Sequence, residues 1–282
     1  MNQPRKNAEE QAALWNGSAG QSWVAAQELL DGMLAPFERL LVDVAVAKPR
    51  QAVLDVGCGT GATTVALAKR LGSAAVVGVD LSQPMLEHAR LRAQREGSAA
   101  TFVCGDAEVH PFEPARFDLV VSRFGVMFFD DTVRAFSNLR RAARADAELF
   151  AIAWRSASEN PFMTAAERAA APLLPALPPR DPDGPGQFRF ADANAVVRNL
   201  EQSGWSEPEL RPLDVECSFP TEDLERYLTR LGPLGRVLHD ADDATKERVL
   251  AVVRSAFDAY VHGDQVRFKA ACWTIAARAP RA

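Results

Sequence analysis

Short apolar runs alternate with helix-length amphipathic segments between about residues 51 and 153. The apolar runs include QAVLDVG, AAVVGVD, ATFVCGD, FDLVVSRF and ELFAIAW, and segments such as TTVALAKRLG and QPMLEHARLRAQREG separate them. Stretches such as VVGV and LVV contain no alternating polar positions, which is typical of strands that are buried on both faces. Strands that alternate with helices indicate parallel crossover units. The pattern therefore predicts an α/β protein with a doubly wound, mostly parallel sheet.

The pattern changes after Trp154. Residues 156–187 are rich in alanine and proline, and proline forbids a continuous helix, so a loop with a short helix is expected there. A helix ADANAVVRNLEQSG, a strand PELRPLDVECSF, helical segments from Thr221 and a final strand VRFKAACWTIAARA follow. With the five earlier strands, these two give a seven-stranded sheet. The insertions and the first ~45 residues are candidates for a helical cap, because ligands of open parallel sheets lie beyond the carboxyl ends of the strands.

The composition limits the classes of protein and partner. The 282 residues are 48% hydrophobic and 24% charged, which excludes a disordered or fibrous chain. A formal net charge of −5 disfavours nucleic acid as a partner. The four cysteines have no metal-ligand spacing, and the polar start MNQPRKNAEEQ has no signal-peptide pattern. We therefore expect no metal, no membrane insertion and a cytoplasmic location.

A glycine-rich loop follows the first predicted strand. In VLDVGCGTG, the glycines are Gly57, Gly59 and Gly61, and Asp55 stands two residues before the first of them. Glycine permits a tight turn and a close approach of the backbone to a ligand. The spacing GxGxG differs from the GxGxxG that binds dinucleotides, and no phosphate-binding GxxxxGK[ST] loop is present.

Polar residues also end the next two predicted strands. Asp80 ends VVGVD, where a carboxylate can accept both hydroxyl groups of a ribose, although it could instead cap the following helix. Asp106 ends FVCGD and could accept a hydrogen bond from an exocyclic amine, while the Ala107 amide could donate to a ring nitrogen. The combination of three strand ends is more specific than any one of them.

These residues resemble the class I S-adenosylmethionine-dependent methyltransferases, in the small-molecule group similar to the ubiquinone and menaquinone C-methyltransferases. The resemblance covers roughly residues 50–155. It implies that the segment from Asp55 to Gly61 wraps the methionine part of S-adenosylmethionine, that Asp80 holds the ribose, and that Asp106 with Ala107 recognises adenine. It also implies that Leu81 and Met85 pack against the adenine, with Ser122 or Arg123 beside the methionine end. One departure is Ala145-Asp146-Ala147, which stands where the family often has a Pro-Gly-Gly turn.

Methyl transfer is an in-line displacement, so the protein must align the reactants and exclude water, without a metal or a covalent nucleophile. No catalytic residue is identified from the sequence, and the candidates for a base or a substrate contact are His110, His262 and Arg123. Arg123 could instead pair with Asp130 or Asp131. The expected walls of the substrate pocket are Trp15, Trp23, Arg123, Phe124 and Trp154.

The predicted function is transfer of a methyl group to oxygen, carbon or nitrogen of a small, largely apolar or aromatic metabolite, with S-adenosylhomocysteine as the product. Two alternatives stay open, a noncatalytic S-adenosylmethionine-binding regulatory or assembly protein and, with less support, a nicotinamide-dependent oxidoreductase. We expect a monomer or a homodimer.

The expected division of the chain is an N-terminal helical cap segment at residues 1–48, the cofactor-binding core at 49–155, a cap insertion at 156–188, a core helix and strand at 189–220, a helical cap insertion at 221–263, and the last core strand and tail at 264–282.

Overall fold

The computed structural model describes residues 4–174, 184–239 and 241–281. The strands are β1 (Ala52–Val56), β2 (Ala75–Asp80), β3 (Thr101–Cys104), β4 (Phe117–Arg123), β5 (Ala143–Trp154), β6 (Ser206–Pro220), β7 (Val261–His262) and β8 (Gln265–Arg278). The helices are α1 (Pro4–Asn16), α2 (Ser18–Ala25), α3 (Gln27–Val46), α4 (Ala62–Leu71), α5 (Gln83–Arg95), α6 (Thr132–Ala142), α7 (Pro161–Ala170), α8 (Ala193–Gln202), α9 (Leu224–Arg230), α10 (Gly232–His239) and α11 (Asp243–Ser255). Short 3-10 helices lie at Val126–Phe128, Thr221–Asp223 and Asp258–Tyr260. The proline-rich centre of the insertion expected at residues 156–188, residues 175–183, lies outside the described residues.

The strands form one mixed sheet with the order β3-β2-β1-β4-β5-β8-β6. Strands β1 to β5 pair in parallel, and β8 pairs antiparallel with both β5 and β6. The prediction of an α/β fold with a mostly parallel sheet is confirmed. The seven predicted strands form this path, and the two-residue β7, which the sequence pattern did not predict, pairs with β8.

The position of the ligand crevice follows from the strand order. The chain passes from β1 to β2 and β3 on one side, and then returns to β4 and β5 on the other side of β1. The carboxyl ends of β1 and β4 therefore form the switch point at which open sheets of this kind bind ligands. All five residues of β1 are buried, so the crevice lies at the end of a strand that belongs to the core.

The strands β6 and β8 continue beyond the carboxyl end of β5. Pairing of β5 with β8 stops at Trp154↔Cys272, whereas β6 and β8 remain paired as far as Pro220↔Gln265. The ring of Phe162, in α7, stacks on Phe268 of this extension with centroids 3.8 Å apart. Further rings in contact with Phe162 are Phe219, Tyr227, Phe257 and Tyr260. The extension thus gives the late helices an apolar face against which they pack.

The segment Ala145-Asp146-Ala147 lies within β5 and does not form a separate turn. Asp146 has a φ of 60°, and the pairing of β4 with β5 shifts between Phe117↔Ala143 and Leu119↔Glu148. Between these two pairs β5 advances by five residues and β4 by two, an excess of 5 − 2 = 3 residues, which is more than the single extra residue of a simple β-bulge. The place of the expected turn is therefore taken by an irregular segment within a longer strand.

Asn160 holds the backbone of β8 where β5 ends. Its side-chain Oδ1 accepts a hydrogen bond from the Ala271 N–H, and its Nδ2 donates to the Ala271 carbonyl, both at 2.9 Å. Asn160 is 1% exposed, so water does not replace these bonds. We expect Asn160→Ala to lower the free energy of unfolding by about 2 kcal/mol, because it leaves a buried backbone N–H without its partner. Urea unfolding measures the change, and the exposed Asn194→Ala is the control; equal effects of the two substitutions would contradict this assignment.

None of the helices in the described ranges is long and apolar enough to cross a bilayer.

Candidate functional site

The glycine loop between β1 and α4 is tied to the end of β2. Gly57, Gly59 and Gly61 have φ values of 68°, 54° and 82°, which side chains other than glycine rarely adopt. The N–H groups of Gly57 and Cys58 donate to the Val79 carbonyl at 2.9 and 3.1 Å. The loop therefore continues from β1 with its backbone turned toward β2.

The loop also touches the end of β4. A Cβ atom added at Gly57 would lie 2.6 Å from the Cα of Gly125, and one added at Gly125 would lie 2.5 Å from the Val56 carbonyl oxygen. Phe124, the residue before Gly125, has a φ of 64° and stacks on Trp154 with ring centroids 4.5 Å apart. The backbones that follow β1 and β4 thus approach each other as closely as two glycines permit.

Asp55 and Asp80 are acidic residues without a basic hydrogen-bond partner in the described part of the chain. The Thr64 hydroxyl donates to Asp55 Oδ2 at 2.6 Å, and burial raises the pKa of Asp55 to about 6 despite this bond. Both carboxylate oxygens of Asp80 accept backbone N–H groups, from Gly59 at 2.8 Å and from Ser82 at 2.9 Å. Burial raises the pKa of Asp80, and these N–H groups act in the opposite direction. Each oxygen of Asp80 keeps a lone pair for a ligand hydroxyl.

Asp106 and Ala107 form a turn after β3, and hydrogen bonds with neighbouring segments hold this turn in place. Asp106 Oδ1 accepts the Glu108 N–H at 2.9 Å, and the Ala107 carbonyl accepts Asn138 Nδ2 at 2.9 Å. Glu108 Oε1 in turn accepts the Asp130 N–H at 2.6 Å. Burial is the main cause that raises the pKa of Glu108 to about 7, and the negative charge of Asp106 is the second. The turn after β3 is thereby joined to the segment after β4.

A cavity of about 40 Å³ lies beside the glycine loop. Its lining residues come from α2, α3, β1, the glycine loop, α4 and the end of β4, and they are Trp23, Leu30, Asp31, Leu34, Asp55, Gly57, Cys58, Gly59, Thr60, Thr63, Arg123 and Phe124. Two polar atoms of this lining, Thr63 Oγ1 and Arg123 Nη1, are buried without a hydrogen-bond partner in the described ranges. Burial lowers the pKa of Arg123, and the carboxylates of Asp31, Glu38 and Asp55 act in the opposite direction. Buried polar atoms without partners are rare in folded proteins, and a polar ligand or an ordered water in the cavity would satisfy these two.

The N-terminal helices α1 and α2 cover the crevice. Ser82 Oγ donates to the Trp15 carbonyl at 2.6 Å, and Asn16 Nδ2 donates to the Leu81 carbonyl at 3.0 Å. The Trp15 ring contacts the ring of Phe128, beyond β4, at 5.1 Å. The end of α1 therefore bridges the loops that follow β2 and β4.

The structure brings some of the predicted residues to the cavity and not others. The residues of the prediction that line it are Asp55, Gly57, Gly59, Trp23, Arg123 and Phe124. Gly61 precedes α4, and Met85 Sδ lies 3.8 Å from the place of a Cβ at Gly59. Trp154 is buried behind Phe124.

Ser122, His110 and His262 are not among the residues that line the cavity. The fully buried Ser122 hydroxyl donates to the Val56 carbonyl at 2.7 Å and accepts the Gly125 N–H at 3.1 Å, so it joins β1 to the turn after β4. His110 packs on the Phe112 ring at 4.6 Å. His262 is exposed and lines a separate groove with charged residues of β6 and β8.

Thr63 and Asp31 line the cavity and were missed in the sequence. Thr63 stands in the first turn of α4, directly after the glycine loop, where a hydroxyl faces the same ligand as the loop. Asp31 interrupts the apolar positions of α3, and it pairs with Arg92 and accepts a hydrogen bond from Gln27 Nε2 at 2.7 Å. An acidic residue on the apolar face of a helix was the signal that could have identified it.

The geometry suits a nucleoside that carries an amino acid. A ribose could be held by Asp80 and a base by the turn after β3, while the cavity offers donors and carboxylates to a zwitterion. No cluster of three or more potential metal-binding side chains occurs among the described residues.

Comparisons with known proteins agree with this geometry. The profile of a methyltransferase domain family matches residues 53–146. The demethylmenaquinone methyltransferase of Renibacterium salmoninarum is 27% identical over 217 residues, which cover 74% of this chain and 89% of the relative. The aklanonic acid methyltransferase DauC of a Streptomyces species is 36% identical over 104 residues, which are 36% of this chain and only 47% of the relative.

A solved structure shows the same fold. The YcgJ protein of Bacillus subtilis has a TM-score of 0.58 and 16% identity, with coverage of 88% of this chain and 99% of the other. The matched domain and the two methyltransferase relatives support a class I S-adenosylmethionine-dependent methyltransferase of the small-molecule type.

Proposed function

We propose that this methyltransferase acts on an oxygen, carbon or nitrogen atom of a small, largely apolar or aromatic metabolite. The observation that carries the proposal is the cavity at the switch point, which is lined both by polar residues at the glycine loop and by apolar side chains. Trp23, Leu30, Leu34 and Phe124 supply its apolar wall, and the Phe124–Trp154 stack stands behind it. Aromatic and aliphatic walls favour an acceptor of similar character. The names of the two relatives given above also describe methyltransferases of small organic molecules.

Each part of the cofactor has a group of residues that suits it. The segment from Asp55 to Gly61 would hold the methionine part, Asp80 the ribose hydroxyls, and Asp106 with the Ala107 N–H the adenine. Leu81 and Met85 would contact the faces of the base. The two buried polar atoms without partners, on Thr63 and Arg123, support this fit because a polar ligand would satisfy both of them.

Methyl transfer requires alignment of the acceptor with the methyl group more than it requires a reactive side chain. S-adenosylmethionine, when bound, supplies a methyl group that its sulfonium already activates. The protein's part would be to fix the acceptor in line with that methyl group and to exclude water, and helices α1 and α2 over the crevice suit both tasks. His110 and His262 are not among the residues that line the cavity, so we do not assign either of them as a base.

The cap belongs to the same proposal. Residues 1–48, 156–188 and 221–263 would form it over the core, and the contact of Arg226, in α9, with the Ala25 carbonyl supports this because it joins two of these segments. The net charge of −5 supports a small-molecule partner over nucleic acid. The four cysteines are free thiols, which supports a cytoplasmic location. We propose a monomer or a homodimer.

Calorimetric titration tests the cofactor site. We expect the wild type to bind S-adenosylhomocysteine and Asp80→Asn to bind it at least about tenfold more weakly, because one charged acceptor for the ribose is lost. Asp43→Asn, at an exposed position of α3, is the control and should bind as the wild type does. Undiminished binding by Asp80→Asn would remove Asp80 from the site, and binding of NADH in place of S-adenosylhomocysteine would favour an oxidoreductase.

Transfer of label tests the reaction. Incubation of the protein with methyl-labelled S-adenosylmethionine and a cell extract should place the label in small, solvent-extractable products. Label in nucleic acid would contradict the proposed acceptor class. Binding of the cofactor without label in any product would favour the noncatalytic alternative.

A further inference from the structure

Glu108 is a buried carboxylate that links two loops. It is 7% exposed, and its Oε1 accepts the N–H groups of Asp130 and Asp131 at 2.6 and 3.2 Å. The hydrogen-bond partners of its side chain in the described ranges are therefore backbone groups and not basic side chains. Burial of a charge without a counter-charge costs free energy. A neutral acceptor would satisfy the same two N–H groups, so the fold alone does not require the charge.

The backbone of Glu108 belongs to the turn that is expected to bind adenine. Its N–H donates to Asp106 Oδ1 at 2.9 Å. Asn138, in α6, donates from its Nδ2 to the carbonyls of Ala107 and His110, both at 2.9 Å. The turn is thus held by the body of α6, while the side chain of Glu108 holds the segment that leads into the same helix.

The segment after β4 continues this link to the N-terminal helices. Phe128 contacts the ring of Trp15 at 5.1 Å. The Trp15 carbonyl accepts the Ser82 hydroxyl at 2.6 Å, and the Ser82 N–H donates to Asp80 Oδ1 at 2.9 Å. The Gly105 N–H donates to the Asp80 carbonyl at 3.0 Å. Contacts therefore form a closed ring of the turn after β3, the segment after β4, α1 and the turn after β2.

We propose that Glu108 is a positioning residue for the adenosine part of the cofactor, because its carboxylate fixes the turn of Asp106 and Ala107 to the segment that follows β4. Glu108 acts through this turn and not through contact with the ligand. Loss of the link should weaken binding of the nucleoside, since the ring of contacts around it would open at this place. The inference rests on the proposed cofactor site. The alternative is a purely structural role, in which Glu108 only satisfies two N–H groups.

The charge of Glu108 supplies a readout that a structural role lacks. Burial and then the charge of Asp106 raise its pKa to about 7, and the two N–H groups that it accepts act in the opposite direction. An ionised carboxylate accepts N–H groups more strongly than a neutral carboxyl does. The link is therefore complete well above a pH of about 7 and weakens as the pH falls through this value. The charged or titratable side chains of its own segment and of those packed beside it are Asp106, His110, Asp130, Asp131 and Arg189, which donates to the Asp130 carbonyl.

Titration with 5′-methylthioadenosine tests the inference, because this ligand has the nucleoside but no methionine part and no group that titrates between pH 6 and pH 8. We expect the wild type to bind it about fivefold more weakly at pH 6 than at pH 8, from a pKa of about 7 and an about tenfold difference between the two forms of Glu108. Glu108→Gln keeps an oxygen acceptor without the charge. It should bind about tenfold more weakly than the wild type at pH 8, and its affinity should change less than about twofold at pH 6. Glu113→Gln, at an exposed position of the same loop, is the matched control and should behave as the wild type does.

The outcomes separate this inference from the proposed function. If the wild type binds neither 5′-methylthioadenosine nor S-adenosylhomocysteine at either pH, the cofactor site itself is wrong. If the wild type binds and Glu108→Gln equals it at pH 8 or keeps its pH dependence, the cofactor site stands and the positioning role is overturned. If Glu108→Gln does not fold, the wild-type profile decides. Equal affinity at pH 6 and pH 8 then overturns the role, and a weakening at pH 6 that His110→Gln retains supports it.

Discussion

Replacing Gly57 by alanine is expected to lower the free energy of unfolding by about 2–5 kcal/mol and to abolish measurable binding of S-adenosylhomocysteine. Two costs add at this position. The φ of +68° is a left-handed conformation that costs an L-residue about 1–2 kcal/mol. The new Cβ would also stand 2.6 Å from the Cα of Gly125, and overpacking of this kind costs about 1–3 kcal/mol. Because Gly125 is backbone, relief requires the loops after β1 and β4 to separate, which displaces the lining of the cavity.

Two further glycine substitutions isolate the two costs. Gly72→Ala introduces a similar strain, at a φ of +62°, but its Cβ would meet nothing within 4 Å, so a loss of only about 1–2 kcal/mol is expected. Gly125→Ala introduces the close contact at an ordinary φ of −79°. Unfolding in urea and titration with S-adenosylhomocysteine measure both effects. A Gly57→Ala protein no less stable than Gly72→Ala would show that the approach of the two loops is not needed.

The fold could be predicted where a strand is defined by its own residues. The runs that became β1, β2 and β4 are apolar without alternation, because both faces of a central parallel strand are covered. The length of β6 and β8 could not be predicted in this way. Their pairing beyond Trp154 depends on Asn160, which replaces the missing strand, and on rings such as Phe162 that come from a distant helix. Such contacts have no local pattern.

The residues of the candidate site could likewise be predicted only in part. The strand ends that carry Asp55, Asp80 and Asp106 are read directly from the chain, since each polar residue follows an apolar run. Ser122 and Arg123 are neighbours on β4, and successive side chains of a strand point to opposite faces. One of the two therefore had to point away from the cavity, and the sequence alone did not say which. The side chains that α3 contributes depend on how this helix packs over the sheet.

Replacing Asp55 by asparagine should make the protein more stable at pH 8 while it weakens binding of the cofactor. Burial raises the pKa of Asp55 to about 6, from an unfolded value of about 4, so the charged form is less stable in the folded state than in the unfolded one. The stability that the protonated carboxyl contributes is complete below the unfolded pKa and is lost as the pH rises through about 6. Two pKa units correspond to about 3 kcal/mol at pH 8. Asparagine keeps an oxygen for the Thr64 hydroxyl and carries no charge at any pH.

The pH dependence distinguishes the removal of a buried charge from an improvement in packing as the cause of the gain in stability. The gain in the free energy of unfolding for Asp55→Asn over the wild type should be about 3 kcal/mol at pH 8, about half of that at pH 5, and close to zero near pH 4. The charges of Arg123, Asp80 and Glu38 act on this carboxylate only in the wild type, and their effect is already contained in its pKa of about 6. Asp43→Asn, at an exposed position, should show little gain at pH 8 or pH 5. A gain that is the same at both pH values would contradict the role of the buried charge. We also expect Asp55→Asn to lower the affinity for S-adenosylhomocysteine about tenfold, because the segment from Asp55 to Gly61 would hold the methionine part; a gain in stability together with this loss of affinity would show that the charge of Asp55 serves the ligand and not the fold.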